Sequence, residues 1–190
     1  MEDKALLSTE VASGAEKAEL LIVIPAYNEA ENIERVVNHL TANFPQYDYV
    51  VVNDGSRDET AAICQRNGYN LLNLPVNLGL AGAFQAGLKY ADKYGYQYAV
   101  QLDGDGQHRP EYLESMIKKM EEGYDIVIGS RFVGEKKPFT MRMLGSNLIE
   151  MAIRFTTGVN IKDPTSGMRM FSKRMIREFA SGLNYGPEPD

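Results

Sequence analysis

Residues 20–40 read LLIVIPAYNEAENIERVVNHL. The first part is a short apolar run that ends at Pro25, the length and character of a buried strand. The second part changes period. Ile33, Val36, Val37 and Leu40 recur at helical spacing, with acidic residues ahead of them in the first turn. A buried strand that passes through a short polar turn into an amphipathic helix is the repeating unit of a parallel sheet.

The same alternation continues down the chain. YDYVVVNDGS (47–56) reads as a second strand closing in a turn, and Ser56 with Glu59 fits an S-x-x-E capping box for the next helix. YNLLNLP (69–75) reads as a third strand. GLAGAFQAGLKYADKYG (79–95) reads as a helix with small residues on one side, suited to close packing. YQYAVQLDGDG (96–106) is a fourth strand. PEYLESMIKKMEEG (110–123) is a helix with Pro110 at its first position and glycine at its end. YDIVIGSR (124–131) is a fifth strand. The expected fold is α/β, an open, mostly parallel sheet flanked by helices on both faces, in a single domain over residues 20–190. Residues 1–19 are polar and acidic and read as a disordered lead rather than a signal peptide.

After residue 131 the alternation stops. TMRMLGSNLIEMAIRFTTG (140–158) has the apolar spacing of an amphipathic helix, through Met141, Leu144, Leu148, Met151 and Phe155. DPTSGMRMFS (163–172) reads as a loop leading into a strand. The last residues, YGPEPD, add no closing element, and the expectation is a C-terminal truncation.

Composition excludes several classes. Hydrophobic residues make up 44% of the 190, enough for a sizeable core, yet no run approaches the roughly 18 apolar residues of a membrane span. The single cysteine, Cys64, permits no internal disulfide and fits a reducing cytoplasm. A formal charge of −6 argues against nucleic-acid binding. The charge is unevenly placed. From Arg131 to Arg177 lie ten of the twenty Lys and Arg residues and only Glu135, Glu150 and Asp163 as acids, so this segment carries +7 and the remainder −13. It is either a solvated basic face or a patch for an anionic partner such as phosphate, diphosphate or an anionic membrane surface.

Chemistry in open parallel sheets sits at the carboxyl ends of the strands. The polar clusters AYNE (26–29), NDGS (53–56), LDGDGQH (102–108) and GSR (129–131) all fall there. One such cluster alone would be a cap or a turn; four on one edge indicate a site. Asp103 and Asp105 are two residues apart, so at a strand end their carboxylates point the same way and repel unless a cation lies between them. A hard divalent ion with oxygen ligands suits the pair, with Gln107 offering a carbonyl oxygen and His108 an optional nitrogen. Asp54 and Glu29 are acceptors suited to a base or ribose. Other nucleotide sites fit poorly, because neither G-x-x-x-x-G-K-[ST] nor a G-x-G-x-x-G after the first strand is present. Zinc is disfavoured by one cysteine and two distant histidines, of which His39 reads as structural or exposed.

Taken together, VIPAYNEAENI, VVNDGSRDET, NLGLAGAFQAGLKYA, QLDGDGQHRPEYL and DIVIGSRF resemble the successive motifs of the family 2 glycosyltransferases of GT-A fold, from about residue 20 onward. LDGDGQHRPE, GSRF and DPTSGMRMF are similar to the dolichol- and polyprenyl-phosphate mannose synthase branch. The resemblance implies an inverting, metal-dependent transferase. It would move a hexose from a GDP- or UDP-sugar to a polyprenyl phosphate, at the cytoplasmic face of a membrane with peripheral contact. Pro25, Tyr27, Glu29, Asp54 and Ser56 would hold base and ribose. Asp103, Asp105 and Gln107 would frame Mg2+ or Mn2+ on the diphosphate. Asp105, Arg131 and Asp163 are the implied catalytic residues. Arg131 would bind the acceptor or its phosphate, with Arg142 and Ser146 as weaker candidates, and Arg169 would approach the donor diphosphate or the acceptor phosphate. Asp163 is either a general base or a binding residue of its loop, and a phosphate acceptor favours the second. The alternatives are transfer to a sugar hydroxyl of a glycan acceptor, and a non-catalytic nucleotide-sugar binding module.

Overall fold

Strand β1 (Leu20–Ala26) is buried along its whole length, as its unbroken apolar run predicts. It lies near the middle of a six-stranded sheet in a computed structural model that describes residues 18–104, 110–129 and 168–182. Residues 1–17 of the sequence-predicted lead, the helix over 140–158 and the DPTSG segment lie outside the described residues.

The remaining elements follow the predicted alternation. Helix α1 (Ile33–Asn43) leads to β2 (Asp48–Asp54), α2 (Thr60–Arg66), β3 (Leu71–Leu74), α3 (Gly79–Tyr94) and β4 (Tyr98–Gln101). A 3-10 turn at Pro110–Tyr112 runs into α4 (Leu113–Glu121), so Pro110 opens a tighter turn ahead of the α-helix. Then come β5 (Ile126–Ile128), β6 (Arg169–Ser172) and α5 (Lys173–Ser181). The sheet order is β3-β2-β1-β4-β6-β5. β1 to β4 are mutually parallel, while β6 is antiparallel to both of its neighbours. The local sequence pattern does not reveal that β6 inserts between β4 and β5, because periodicity reports an element's faces and not its neighbours.

Alternation along β1 divides the core. Leu20, Ile22 and Ile24 meet Ile33, Val36, Val37 and Leu40 of α1, Ile63 and Cys64 of α2, and Leu113, Met116 and Met120 of α4. Burial pushes the Cys64 thiol up to about 11, so it serves as a small apolar side chain. Leu21 and Val23 face the other way, onto Ala83, Phe84, Leu88 and Ala91 of α3 and Ile176 of α5. Phe171 links the two helices, with its ring centroid 5.5 Å from that of Phe84 and 5.6 Å from that of Phe179. Gly95, at φ 74, ends α3 in the left-handed conformation that glycine adopts without strain.

The small-residue side of α3 is the side that lies on the sheet. A Cβ at Gly87 would run into the side chain of Val23. Gly87→Val is expected to cost about 1–3 kcal/mol through overpacking, read as a lower urea midpoint. An unchanged midpoint would show that α3 does not rest on β1 at this place.

Candidate functional site

The site begins with a missing hydrogen-bond donor. Leu102 N donates to Val23 O at 2.9 Å, which shows that residues 23 and 25 of β1 face β4. The next donor on that side would be the N–H of residue 25, and Pro25 has none. The β1–β4 ladder accordingly ends at the Val23–Gln101 pair. Beyond it the chain leaves the sheet at Asp103 and Gly104. Gly104 is buried, and a Cβ there would stand 3.2 Å from Pro25 O and 3.4 Å from Glu29 Cγ. The predicted nucleotide residues Pro25 and Glu29 and the predicted metal residue Asp103 therefore meet at the carboxyl ends of β1 and β4.

The loops after β1 and β2 are tied to each other. Asn28 has φ 58, a left-handed conformation that asparagine tolerates better than most residues. Its N–H donates to Ser56 Oγ at 2.9 Å, and its Oδ1 accepts from Arg57 N at 2.9 Å. Glu29 N donates to Thr60 Oγ1 and Ala30 N to Asp58 Oδ2. Asp58 Oδ1 in turn accepts from Thr60 N and Thr60 Oγ1. The expected Ser56–Glu59 capping box is corrected by these bonds. Ser56 Oγ is taken by the neighbouring loop, and Asp58 satisfies the first exposed N–H of α2 in an Asx-type turn. Tyr27 stands half-exposed at the head of the first loop, and Glu29 Oε2 accepts from Asn32 Nδ2 at 2.9 Å.

Asp54 is 3% exposed at the end of β2. Its Oδ1 accepts from Leu78 N at 2.7 Å, just ahead of α3. This oxygen thus fixes the segment between β3 and α3. Gly55, at φ +64, lies against the backbone of that segment, with Val76 and Asn77 atoms 2.7 Å from where its Cβ would be. On the other face of β2, Asn53 accepts from Ser56 N and donates to Asn73 Oδ1, which holds the NDGS turn to β3.

Arg169 starts β6, and because β6 is antiparallel its first residue lies at this same edge. Thus Pro25, Tyr27, Glu29, Asp54, Ser56, Asp103 and Arg169 share one edge of the sheet. Asp105, Gln107, His108, Arg131, Arg142, Ser146 and Asp163 lie outside the described residues. Among the described residues no group of three or more His, Cys, Asp or Glu is arranged to hold a metal. Sequence reasoning passed over Asn28, Asn53, Asp58 and Thr60. The signals were an asparagine in a tight turn and D-x-T at a helix start.

The fold is that of an α/β sheet of the GT-A glycosyltransferase type. The mannosyltransferase from Pyrobaculum calidifontis, solved with GDP-mannose and Mn2+, superimposes with a TM-score of 0.62 at 18% identity, over 90% of this chain and 49% of that one. Residues 21–180 match the model of glycosyl transferase family 2, and the chain belongs to that family. It is 32% identical to the polyprenol monophosphomannose synthase of Mycolicibacterium smegmatis, over 83% of this chain and 63% of that protein. It is 31% identical to the undecaprenyl-phosphate mannosyltransferase of Micrococcus luteus, over 83% of this chain and 68% of that protein. The chain therefore spans roughly two thirds of these relatives and about half of the superimposed structure.

The loop network carries a pH signature. Partial burial raises the Asp58 carboxyl, but hydrogen bonds from Thr60 and from Ala30 N outweigh it and hold the group below its usual range. A depressed carboxyl stabilises the fold above its unfolded pKa of about 4 and loses that contribution as pH falls through the lower folded value. Asp58→Ala is expected to cost about 1 kcal/mol at neutral pH, with the gap from wild type closing in acid below about pH 4. Thermal melts across pH measure it; a gap that stays constant into acid would remove the charge from the account.

Proposed function

We propose that this chain is the nucleotide-sugar domain of an inverting glycosyltransferase that transfers a hexose from a GDP- or UDP-sugar to a polyprenyl phosphate. The observation that carries the reading is the seating of Gly104 against Pro25 O and Glu29 Cγ, which brings the start of the LDGDGQH motif, at Asp103 and Gly104, against the PAYNE turn. Membership of a family whose similar members include lipid-phosphate mannosyltransferases supports the acceptor class. The basic segment from Arg131 to Arg177 suits an anionic acceptor.

In this reading the base and ribose lie over the ends of β1 and β2. Tyr27 offers an exposed ring, Glu29 a carboxylate, and Asp54 the oxygen not used on Leu78 N. The cross-linked loops hold these groups in place before the donor arrives, so little ordering cost falls on binding. A cation fits the oxygen-rich set Asp103, Asp105 and Gln107, which suits Mg2+ or Mn2+. Held by these residues, a divalent ion would supply positive charge against the nucleoside diphosphate as it departs. Arg131 binds the acceptor phosphate, and Arg169 sits at the same edge to meet a second phosphate charge. An anionic phosphate oxygen attacks the anomeric carbon as the bond to the diphosphate breaks, and no proton has to be removed. Asp163 then acts as a binding residue of its loop rather than as a general base. Among the described residues no helix is long and apolar enough to cross a membrane.

Calorimetry with GDP and UDP tests the donor half. Binding is expected with Mn2+ or Mg2+ and is expected to fall sharply in chelator; equal affinity without metal would sink the metal assignment. Asp54→Ala should weaken the free nucleoside as well as the diphosphate.

Steady-state kinetics on the full-length enzyme test the acceptor half. Arg131→Ala is expected to raise the polyprenyl phosphate requirement roughly ten- to hundredfold, the worth of a charge-assisted contact of about 1.5–3 kcal/mol. Asp163→Asn is expected to lose far less than the 10²–10⁴-fold, on the order of a missing general base. Wild-type turnover on a sugar hydroxyl but not on the lipid, abolished by Asp163→Asn, would replace the lipid reading with glycan synthesis.

A further inference from the structure

The buried polar side chains among the described residues are Asn53, Asp54, Thr60 and Gln101. The first three hold the loops of the site. Gln101 is different, because it lies within a central strand and is 8% exposed. It shares the α3 and α5 side of β4 with Ala99, in a row where an apolar residue would pack without cost. Its Nε2 donates to Asp103 Oδ1 at 3.2 Å. Residues 101 and 103 fall on the same side because the chain is still extended where β4 ends. One step beyond the Val100–Met170 pair of the antiparallel ladder, Gln101 also comes level with Arg169.

A buried glutamine needs a partner, and this one bonds a carboxylate of the donor site. The amide is neutral, so it restricts the rotation of the carboxylate without cancelling its charge. A lysine or arginine there would compete with a cation for the same oxygens. An apolar residue would remove this restraint from the carboxylate. We propose that Gln101 is a positioning residue for divalent-cation binding: its amide holds the Asp103 carboxylate in the orientation that meets the cation and the diphosphate. The inference rests on the metal-dependent donor site proposed above and extends it to a side chain that touches neither donor nor cation.

The two roles open to Gln101 predict opposite results. If it only fills the strand, replacing it disturbs packing and leaves cation binding alone. If it orients Asp103, an apolar residue of similar size weakens cation binding and leaves the fold as stable or more so, since a buried amide is removed. The test uses Gln101→Met, which keeps length and volume, and Gln101→Leu as a second apolar replacement. Mn2+ is titrated into the full chain with GDP and, separately, with UDP, and free Mn2+ is followed by electron paramagnetic resonance. Thermal melts of the apo-proteins and binding of the free nucleosides are measured in parallel.

Both variants are expected to bind Mn2+ about tenfold more weakly in the presence of nucleoside diphosphate, the usual scale for a hydrogen-bond partner of a ligand. Nucleoside binding and melting temperature are expected to hold or, for melting, to rise. Mn2+ affinity within about twofold of wild type, well short of that scale, overturns the proposal. So does a loss of affinity that tracks a fall in melting temperature. Wild-type protein that binds nucleoside diphosphate equally well in chelator would instead overturn the metal reading on which the proposal stands.

Discussion

A hydrogen bond that cannot form organises this molecule. Parallel strands continue side by side as long as each N–H finds a carbonyl. Pro25 withholds one on the β4 side of β1, so β4 leaves the sheet after Gln101 while β1 stays paired with β2 as far as the Ala26–Asn53 pair. The carboxyl edge thereby acquires a step between its two central strands. Asp103 and Gly104 occupy the step, and Gly104 closes against the very carbonyl of Pro25. A residue with an N–H at position 25 would extend the ladder and carry the aspartate along a regular strand instead of into a turn. The cost of a proline in a central strand is therefore confined to the one place where the sheet has to end.

Rigidity at this edge comes from polar bonds between loops rather than from burial. The PAYNE turn and the NDGSRDET turn are 28 or more residues apart in sequence, yet they share reciprocal bonds through Asn28, Ser56, Arg57, Asp58 and Thr60. Asp54 fastens a third segment at Leu78 N. Each bond is modest by itself. Their common effect is that three strand ends present their side chains as one surface, fixed by the main chain. The large apolar side chains exposed on this rim, Tyr27, Val76, Leu78 and Leu80, consequently stand on a backbone that is held firmly beneath them.

Most of the fold was legible because it rests on periodicity. Ile33, Val36, Val37 and Leu40 predicted from spacing are the buried residues of α1, and the β1 and β2 runs are strands within a residue or two of their predicted limits, whereas β4 stops at Gln101, well short of the predicted end of its run. Pairing was not legible in the same way. Nothing local in RMFS distinguishes a strand inserted antiparallel at the centre from one added at an edge, since both are apolar on their inner faces. The site divides likewise. Glu29, Asp54 and Asp103 announced themselves as acids at strand ends, where burial is costly without a reason. Ser56 was assigned to a helix cap because S-x-x-E is a cap pattern, but its hydroxyl is claimed by a loop from another strand. Gln101 gave no signal at all. A glutamine at the end of an apolar strand reads as the first exposed residue until the sheet beside it is known to cover it.

The insertion of β6 has a consequence for how the chain is made. On a ribosome the β3-β2-β1-β4 half has all its strands once residue 101 has emerged; β1–β2 and β2–β3 are each joined through one helix, and β4 returns to β1 after α3. β5 follows within 30 residues, but among the described residues it pairs only with β6, whose strand begins at Arg169. Until some 40 further residues have been synthesised, Ile126, Val127 and Ile128 have no partner, and the outer edge of β4 is bare. Synthesis proceeds at roughly 5–20 residues per second, so that interval lasts seconds. A nascent chain with two unpaired strand edges for that long is the species most open to aggregation or to capture by a chaperone. Growth of this sheet ends with the strand that enters its interior, and the edge that β5 finally supplies is only three residues long.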